Sequence, residues 1–287
     1  MEKQPFISLV IPLYNRPDEI AELLDSLTRQ TDPSFEVIVV EDGSSIPSKE
    51  VIDYFTDQLV IQYDVTPNGG PGKARNHGVA RSKAEYVIVL DSDCVIPPNY
   101  IELVKKGIQE TNADAFGGPD KAADSFTPVQ KAINYSMTSF FTTGGIRGGK
   151  KKMDKFYPRS FNMGIRRSVY NELNGFSAMR FGEDIDFSIR LYKGGYKVRL
   201  FSEAWVYHKR RTDWRKFFRQ VHNSGIARIN LYKLYPDSLK LVHILPALFT
   251  LGVFFFLIGG IFCPWSLTPL LLYALLIWID ASIKNKS

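Results

Sequence analysis

The chain has 287 residues, 45% hydrophobic and 23% charged, with two cysteines and a formal net charge of +6. That length suits one large domain or two modest ones whose cores need no covalent staples. Cys94 and Cys263 are too few and too far apart for a disulfide framework or a cysteine-based zinc site, and 20 Phe with 14 Tyr exclude global disorder.

In chain order, the polar start from Met1 to Pro5 has no signal-peptide pattern, so the polar part of the chain is expected in the cytoplasm. Ile7 to Leu13 is a short apolar, β-branched run that reads as a buried strand. Asn15-Arg16-Pro17-Asp18 starts a helix carrying Ile20, Leu23, Leu24 and Leu27 at helical spacing. Phe35 to Val40 is a second strand ending in the turn cluster Glu41-Asp42-Gly43-Ser44-Ser45. Val51, Ile52 and Phe55 mark a helix, and Leu59 to Tyr63 a third strand. Gly69-Gly70-Pro71-Gly72 opens a helix over Lys73 to Ser82, followed by the strand Tyr86 to Leu90. This alternation with continuously apolar strands predicts an α/β fold, a parallel sheet with helices on both faces.

Ligands of such sheets collect at the carboxyl ends of the strands, where this chain places Tyr14 and Asn15, Glu41 and Asp42, and Asp91 and Asp93. Neither G-x-G-x-x-G in the first turn nor a Walker A motif is present, which argues against NAD, FAD or a P-loop. Asp91-Ser92-Asp93 follows an apolar strand, and two carboxylates there suit a divalent ion carrying substrate phosphates; the plain alternative is a turn that favours Asp. Gly182-Glu183-Asp184-Ile185-Asp186 reads as an acidic first turn of a helix. Its carboxylates serve either the helix dipole or, facing the sheet's open end, a general base toward a hydroxyl.

The charge is uneven. Arg147 to Arg167 has eight Lys and Arg against one acid, and Lys197 to Lys240 has eleven against three. No zinc-finger or RRM signature accompanies it, so nucleic acid is not an expected partner, whereas an anionic lipid surface is. Trp214, Phe217, Phe218 and Val221 interleave with Arg215, Lys216 and Arg219, the pattern of a helix lying in a membrane interface. From Ile244 to Ile279 there are 36 residues with no Asp, Glu, Lys, Arg or His, enough for two short spans broken at Cys263 to Pro269. A buried hairpin in a soluble core is the alternative. Basic residues before the run, with Lys284 and Lys286 after it, put both ends on the cytoplasmic side. The expected organisation is a catalytic domain over 1–211, a basic amphipathic segment over 212–240, and a two-helix membrane hairpin with a short tail over 241–287.

Val10-Ile11-Pro12-Leu13-Tyr14-Asn15, Glu41-Asp42-Gly43-Ser44, Pro71-Gly72-Lys73-Ala74-Arg75-Asn76, Asp91-Ser92-Asp93 and Gly182-Glu183-Asp184-Ile185-Asp186 together resemble the family-2 glycosyltransferases in order and spacing, over roughly residues 6 to 210. Asn174-Gly175-Phe176 is similar to the turn that precedes the acidic motif in many members. The resemblance implies a GT-A fold, a nucleotide-sugar donor (a UDP-sugar above all), Mn²⁺ or Mg²⁺, and inversion at the anomeric carbon. By position it implies Pro12 and Tyr14 at the nucleobase, with Asn15 in the same donor site, Asp42 accepting the base N–H, and Arg75 at the start of the helix after the donor site. It further implies Asp91 at the ribose or metal, Asp93 on the metal, Asp184 as the base, and His208 reaching the metal or diphosphate. Processive members carry Gln-x-x-Arg-Trp where this chain has Gln220-Val221-His222-Asn223-Ser224, so processive synthesis is not implied.

The function so implied is transfer of a sugar to a hydroxyl or phosphate of a membrane-associated acceptor, by a multi-pass protein of the cell membrane with its catalytic domain cytoplasmic. Acceptors of that kind are a polyprenyl-linked saccharide, polyprenyl phosphate or a cell-surface polysaccharide precursor. The alternatives are a sugar-nucleotidyltransferase, against which Ile11-Pro12-Leu13-Tyr14-Asn15 counts because it is not a Gly-rich phosphate loop, and a non-catalytic nucleotide-sugar-binding membrane protein.

Overall fold

The computed structural model describes residues 5–121, 127–143, 156–209 and 212–284; the first four residues, residues 147–155 of the first basic stretch, Arg210, Arg211 and Lys286 lie outside the described residues. The chain divides into two compact units, Met1–Phe126 with Lys152–Arg210, and Thr127–Lys151 with Arg211–Ser287.

The first unit opens with β1 (Ile7–Leu13), α1 (Pro17–Thr28), β2 (Phe35–Asp42), α2 (Lys49–Phe55), β3 (Ile61–Thr66), α3 (Pro71–Arg81) and β4 (Tyr86–Leu90). It continues through β5 (Cys94–Val95), α4 (Tyr100–Thr111), β6 (Ala115–Gly117) and β7 (Asp120–Lys121). Helices α5 (Pro128–Thr138) and α6 (Phe140–Thr143) belong to the second unit. The chain returns to the first with β8 (Asn162–Arg166), α7 (Arg167–Glu172), α8 (Glu183–Lys193), β9 (Val198–Leu200) and β10 (Val206–His208).

Seven strands form the main sheet in the order β3-β2-β1-β4-β8-β6-β9. β1 runs parallel to β2 and β4, β2 to β3, and β6 to β9, while β8 is antiparallel to both its neighbours. Strand side chains alternate between two cores, as a period of two requires. Ile7, Leu9, Ile11 and Leu13 of β1 face one core with Val37, Val39, Ile88 and Leu90; α1, α2 and α4 close it with Leu23, Leu24, Ile52, Ile101 and Val104. Val10, Ile38, Val40, Val87 and Val89 face the other, closed by Ala74 and Val79 of α3 and by Phe187 and Leu191 of α8. Burial on both faces explains why these strands read as unbroken apolar runs. Each aliphatic side chain fully buried there contributes about 1.5–3 kcal/mol.

β3 starts two residues later and ends three residues later than the sequence predicts. It is the edge strand, its residues are half-buried or exposed, and Leu59 instead donates its N–H to Phe55 O in the turn after α2. α3 begins at Pro71 rather than Lys73, because Gly70 at φ 87° turns the chain and Pro71 fits the first helical turn. A small second sheet, β5-β10-β7, sets His208 opposite Cys94.

The second unit adds α9 (Trp214–Leu234), α10 (Leu245–Phe262) and α11 (Thr268–Lys284) to α5 and α6. A 3₁₀ turn over Pro264–Leu267 joins α10 to α11. Among the described residues, two stretches are long and apolar enough to cross a membrane: Leu245–Phe262, 18 residues at mean hydropathy 2.3, and Pro264–Lys284, 21 residues at 1.7, neither of them buried in the structure. In α11, Asp280 accepts from Tyr135 Oη at 2.6 Å, Ser139 Oγ at 2.9 Å and Lys284 Nζ at 2.9 Å, which fastens α5 along that helix.

Candidate functional site

The turn after β1 is fixed by Asn15. At φ 52° it occupies the left-handed region that Asn tolerates. Its N–H donates to Ser44 Oγ at 2.9 Å and its Oδ1 accepts from Ile46 N at 2.9 Å, so the β1–α1 and β2–α2 turns are tied together. The Asn15 side chain is thereby spent on the turn. Pro12 is half-buried at the end of β1 and Tyr14 is 50% exposed just beyond it, leaving the ring available to a ligand.

Asp42 closes β2. Its two carboxylate oxygens accept the N–H of Gly69 at 2.7 Å and of Gly70 at 2.8 Å, shaping the loop that starts α3. A carboxylate oxygen accepts more than one bond, so a base N–H is still accommodated there. Glu41 is buried and turned to Tyr63 Oη and Ser48 N, which makes it a structural neighbour of this loop.

Arg75 of α3 is the hub. Its side chain is 4% exposed, yet Nη2 donates to Asp91 Oδ1 and Nη1 to Glu183 Oε1, each at 2.8 Å, and its guanidinium lies 5.5 Å from the centre of the Phe176 ring. Burial opposes its charge, but Asp91 and Glu183 outweigh burial and raise its pKa. The first acid of the D-x-D run, 16 residues from Arg75, and the acidic start of α8, 108 residues from it, are thus joined through one cation. On Glu183 burial prevails over Arg75 and its carboxyl pKa rises, with the Asp184 charge adding to the rise.

Asp93, just past β4, is 8% exposed. Arg16 Nη1 approaches its Oδ2 at 2.5 Å, and His208 Nε2 lies 3.3 Å from its Oδ1. Burial alone would lift its pKa; the bond and charge of His208, with those of Arg16, hold it below the ordinary carboxylate range. His208 moves the opposite way, burial opposing its charge and Asp93 raising its pKa beyond that. The imidazole stacks on Phe161 at 4.9 Å, and its Nδ1 has no hydrogen-bond partner among the described residues.

Asp93, Cys94 and His208 offer ligand atoms within 4.8 Å of one another. Cys94 is a poor member of that set. Burial first, then Asp93 and Asp91, pushes its thiol well up, and Sγ lies against Phe161 O at 3.5 Å. The remaining carboxylate oxygen and imidazole nitrogen suit Mn²⁺ or Mg²⁺, which take one or two protein ligands and complete their shells with phosphate and water. Adjacent octahedral ligands at roughly 2.1 Å stand about 3 Å apart, close to the 3.3 Å between Asp93 Oδ1 and His208 Nε2. The residues present therefore fit a divalent ion.

Asp184 is 6% exposed in the first turn of α8. Its Oδ2 accepts from Arg159 Nε at 2.7 Å and its Oδ1 from its neighbour's N–H, Ile185 N, at 2.8 Å. Asp186 turns away and pairs with Arg190 at 2.8 Å in the same helix. Of the three acids in that turn, each has its own arginine, and Asp184 has the half-exposed one, at 41%.

Sequence reading did not single out Arg16, Arg159 or Phe161. Arg16 reads as part of a helix start. Arg159 lies within a basic stretch whose charge excess hides any one member, so no local signal marks it.

The family model described as Glycosyl transferase family 2 matches residues 8–173, more than half of the chain. The probable glycosyltransferase YdaM of Bacillus subtilis is 28% identical over 242 residues, covering 81% of this chain and 57% of YdaM. The chain spans smaller shares, 15% and 38%, of an uncharacterized glycosyltransferase of Rickettsia bellii and of GlyG of Streptococcus pneumoniae. Among solved structures, S. aureus TarS 1-349 in complex with UDP-GlcNAc superposes with a TM-score of 0.57 at 21% identity, covering 82% of this chain and 76% of that one. The mannosyltransferase PcManGT from Pyrobaculum calidifontis, in complex with GDP-Man and Mn²⁺, gives 0.58 at 16% identity, covering 99% and 88%. At these identities the structural matches speak to the fold.

Proposed function

The chain belongs to glycosyl transferase family 2, and on that premise we propose that it moves a sugar, with inversion, from a nucleoside-diphosphate donor to a hydroxyl or phosphate of a membrane-associated acceptor. A UDP-sugar is the favoured donor. The observation that carries the reading is the pair of buried carboxylates at the open end of the sheet, Asp93 beside His208 and Asp184 beside Arg159, spanned by the Asp91–Arg75–Glu183 bridge.

In this reading Tyr14 and Pro12 flank the base and Asp42 accepts its N–H. Asn15 acts through the turn it fixes, and Arg75 positions Asp91 against α8. Asp93 and His208, with Asp91 nearby, would hold the divalent ion, which would supply positive charge against the departing diphosphate. Asp184 accepts the proton of the acceptor hydroxyl as that oxygen bonds to C1. The C1–O bond to the diphosphate breaks with its electron pair leaving on the diphosphate. The acceptor hydroxyl takes the place of Arg159 Nε at Asp184 Oδ2, which the half-exposed arginine side chain permits.

The organisation expected from the sequence accompanies this proposal: a cytoplasmic catalytic part over 1–211, an interfacial segment over 212–240 and a membrane hairpin over 241–287. It is supported by the two apolar stretches and the basic, aromatic run before them. The test is a pair of variants in the full chain. Asp184→Asn is expected to keep donor affinity and lose transfer by roughly 10²–10⁴-fold, whereas Asp93→Asn loses Mn²⁺-dependent donor binding. Equal loss of donor binding in both would remove Asp184 from the role of base.

A further inference from the structure

One cation already seated on Asp93, beside His208, is Arg16, and its seat is prepared. Asn15 holds the backbone in a left-handed turn clamped to Ser44 and Ile46, and the next residue sends its guanidinium to Asp93 Oδ2 at 2.5 Å. Arg16 stays 31% exposed on the solvent side while Asp93 is 8% exposed. Among the described residues its one side-chain hydrogen bond is to Asp93. A guanidinium has five N–H donors in a planar fork matched to phosphate, so a single bond to a carboxylate leaves most of that capacity for another anion.

Two cations on one carboxylate repel each other. A divalent ion on Asp93 and His208 therefore meets Arg16 as a competitor unless a further anion arrives to receive it. The donor diphosphate is such an anion and is itself a partner of the ion. Resting on the reading above, we propose that Arg16 is an exchangeable counter-ion: it neutralises Asp93 in the empty site and transfers to the diphosphate when metal and nucleotide bind. Arg16 thereby couples the two ligands. Metal alone binds weakly because it must displace an ion pair. Metal with nucleoside diphosphate binds tightly because the displaced arginine gains a bidentate partner.

The experiment is titration of detergent-solubilised full-length protein with Mn²⁺ alone, with UDP alone and with both, with GDP in parallel, read by calorimetry and by Mn²⁺ paramagnetic resonance. In Arg16→Gln, Mn²⁺ alone is expected to bind on the order of tenfold more tightly, and the mutual enhancement of Mn²⁺ and UDP to shrink by a similar factor. Arg16→Lys keeps the charge without the fork, so it should bind Mn²⁺ alone about as the parent does and retain only part of the coupling, which separates loss of the counter-ion from damage to the turn. Direct chelation of Mn²⁺ by UDP is the same for all variants and cancels. Unchanged or weaker Mn²⁺ binding in Arg16→Gln, or undiminished coupling, overturns the proposal while the metal site stands. If the parent and Asp93→Asn are alike in ignoring Mn²⁺, the metal reading itself fails and takes the proposal with it.

Discussion

A guanidinium that is 4% exposed and bridges Asp91 to Glu183 cannot be removed without leaving two carboxylates facing each other in a poorly solvated space. Arg75→Met is expected to destabilise the first unit by about 3–5 kcal/mol, the scale for breaking a buried ion pair from one side. Arg75→Lys should recover only part of this, because one ammonium does not span both partners; denaturant unfolding of the two variants measures it. Asp32 behaves in the opposite manner, at the surface. Burial would raise its carboxyl, but Lys105 at 2.7 Å and then Ser34 outweigh that and bring it to about 2. A folded pKa below the unfolded 3.8 means its contribution is present above about pH 4 and fades as pH falls toward 2. For a half-buried pair at the surface, solvent screening leaves about 0.2–1 kcal/mol. The stability gap between the parent and Asp32→Asn should therefore be small at pH 7, and should shrink both in acid and in high salt. Asp93, Asp184 and Arg75 were legible in the sequence because each sits in a short motif with a fixed place after a strand or at a helix start. Their partners Arg16 and Arg159 were not, since the Arg16–Asp93 contact joins residues 77 apart and only the folded sheet brings them together.

The helix that carries Arg75, α3, depends on close approach to the sheet. Gly78 of α3 lies so near the sheet that an added Cβ would stand 2.5 Å from Val10 Cγ1 and 3.2 Å from Val40 Cγ2. Gly78→Ala therefore overpacks the α3 interface with β1 and β2, at an expected cost of about 1–3 kcal/mol despite alanine's better helix propensity. Because Arg75 is one turn away on the same helix, donor affinity should fall along with stability; unfolding and nucleotide titration of one preparation check both. β1, β2 and β4 were read correctly from sequence because burial on both faces makes them continuous apolar runs. β3 slid because an edge strand alternates instead and its neighbouring turn also contains Leu59 and Val60. β6 and β9, at three residues each, are too short to carry a period at all, and nothing local announces that β8 runs antiparallel. The direction of β8 matters to the site: running back from Asn162 to Arg166 beside β4, it brings Arg159 and Phe161 to the end of the sheet where Asp91 and Asp93 emerge.

At the scale of the molecule, the membrane association proposed above would use two physically different devices, the apolar stretches and the basic run before them. The apolar stretches of 18 and 21 residues gain from leaving water altogether, so salt does not act on their insertion. In that proposal the run from Lys209 to Lys240 would gain from anionic headgroups, at about 1 kcal/mol per Lys or Arg near the surface, and that gain would fall as ionic strength rises. In α9 the two kinds of side chain are interleaved, with Trp214, Phe218 and Val221 exposed among Arg215, Lys216 and Arg219. The full chain is therefore expected to stay with vesicles of either charge through high-salt and alkaline washes. A chain ending after Lys240 should bind anionic vesicles alone and be released as salt rises, and replacing Arg215, Lys216 and Arg219 by Gln should weaken that residual binding without freeing the full chain. Co-sedimentation with neutral and with anionic vesicles across a salt series separates the two devices. Equal binding of the shortened chain to both vesicle types would assign its affinity to the exposed aromatic face of α9. Release of the full chain by salt would mean that the apolar pair does not insert.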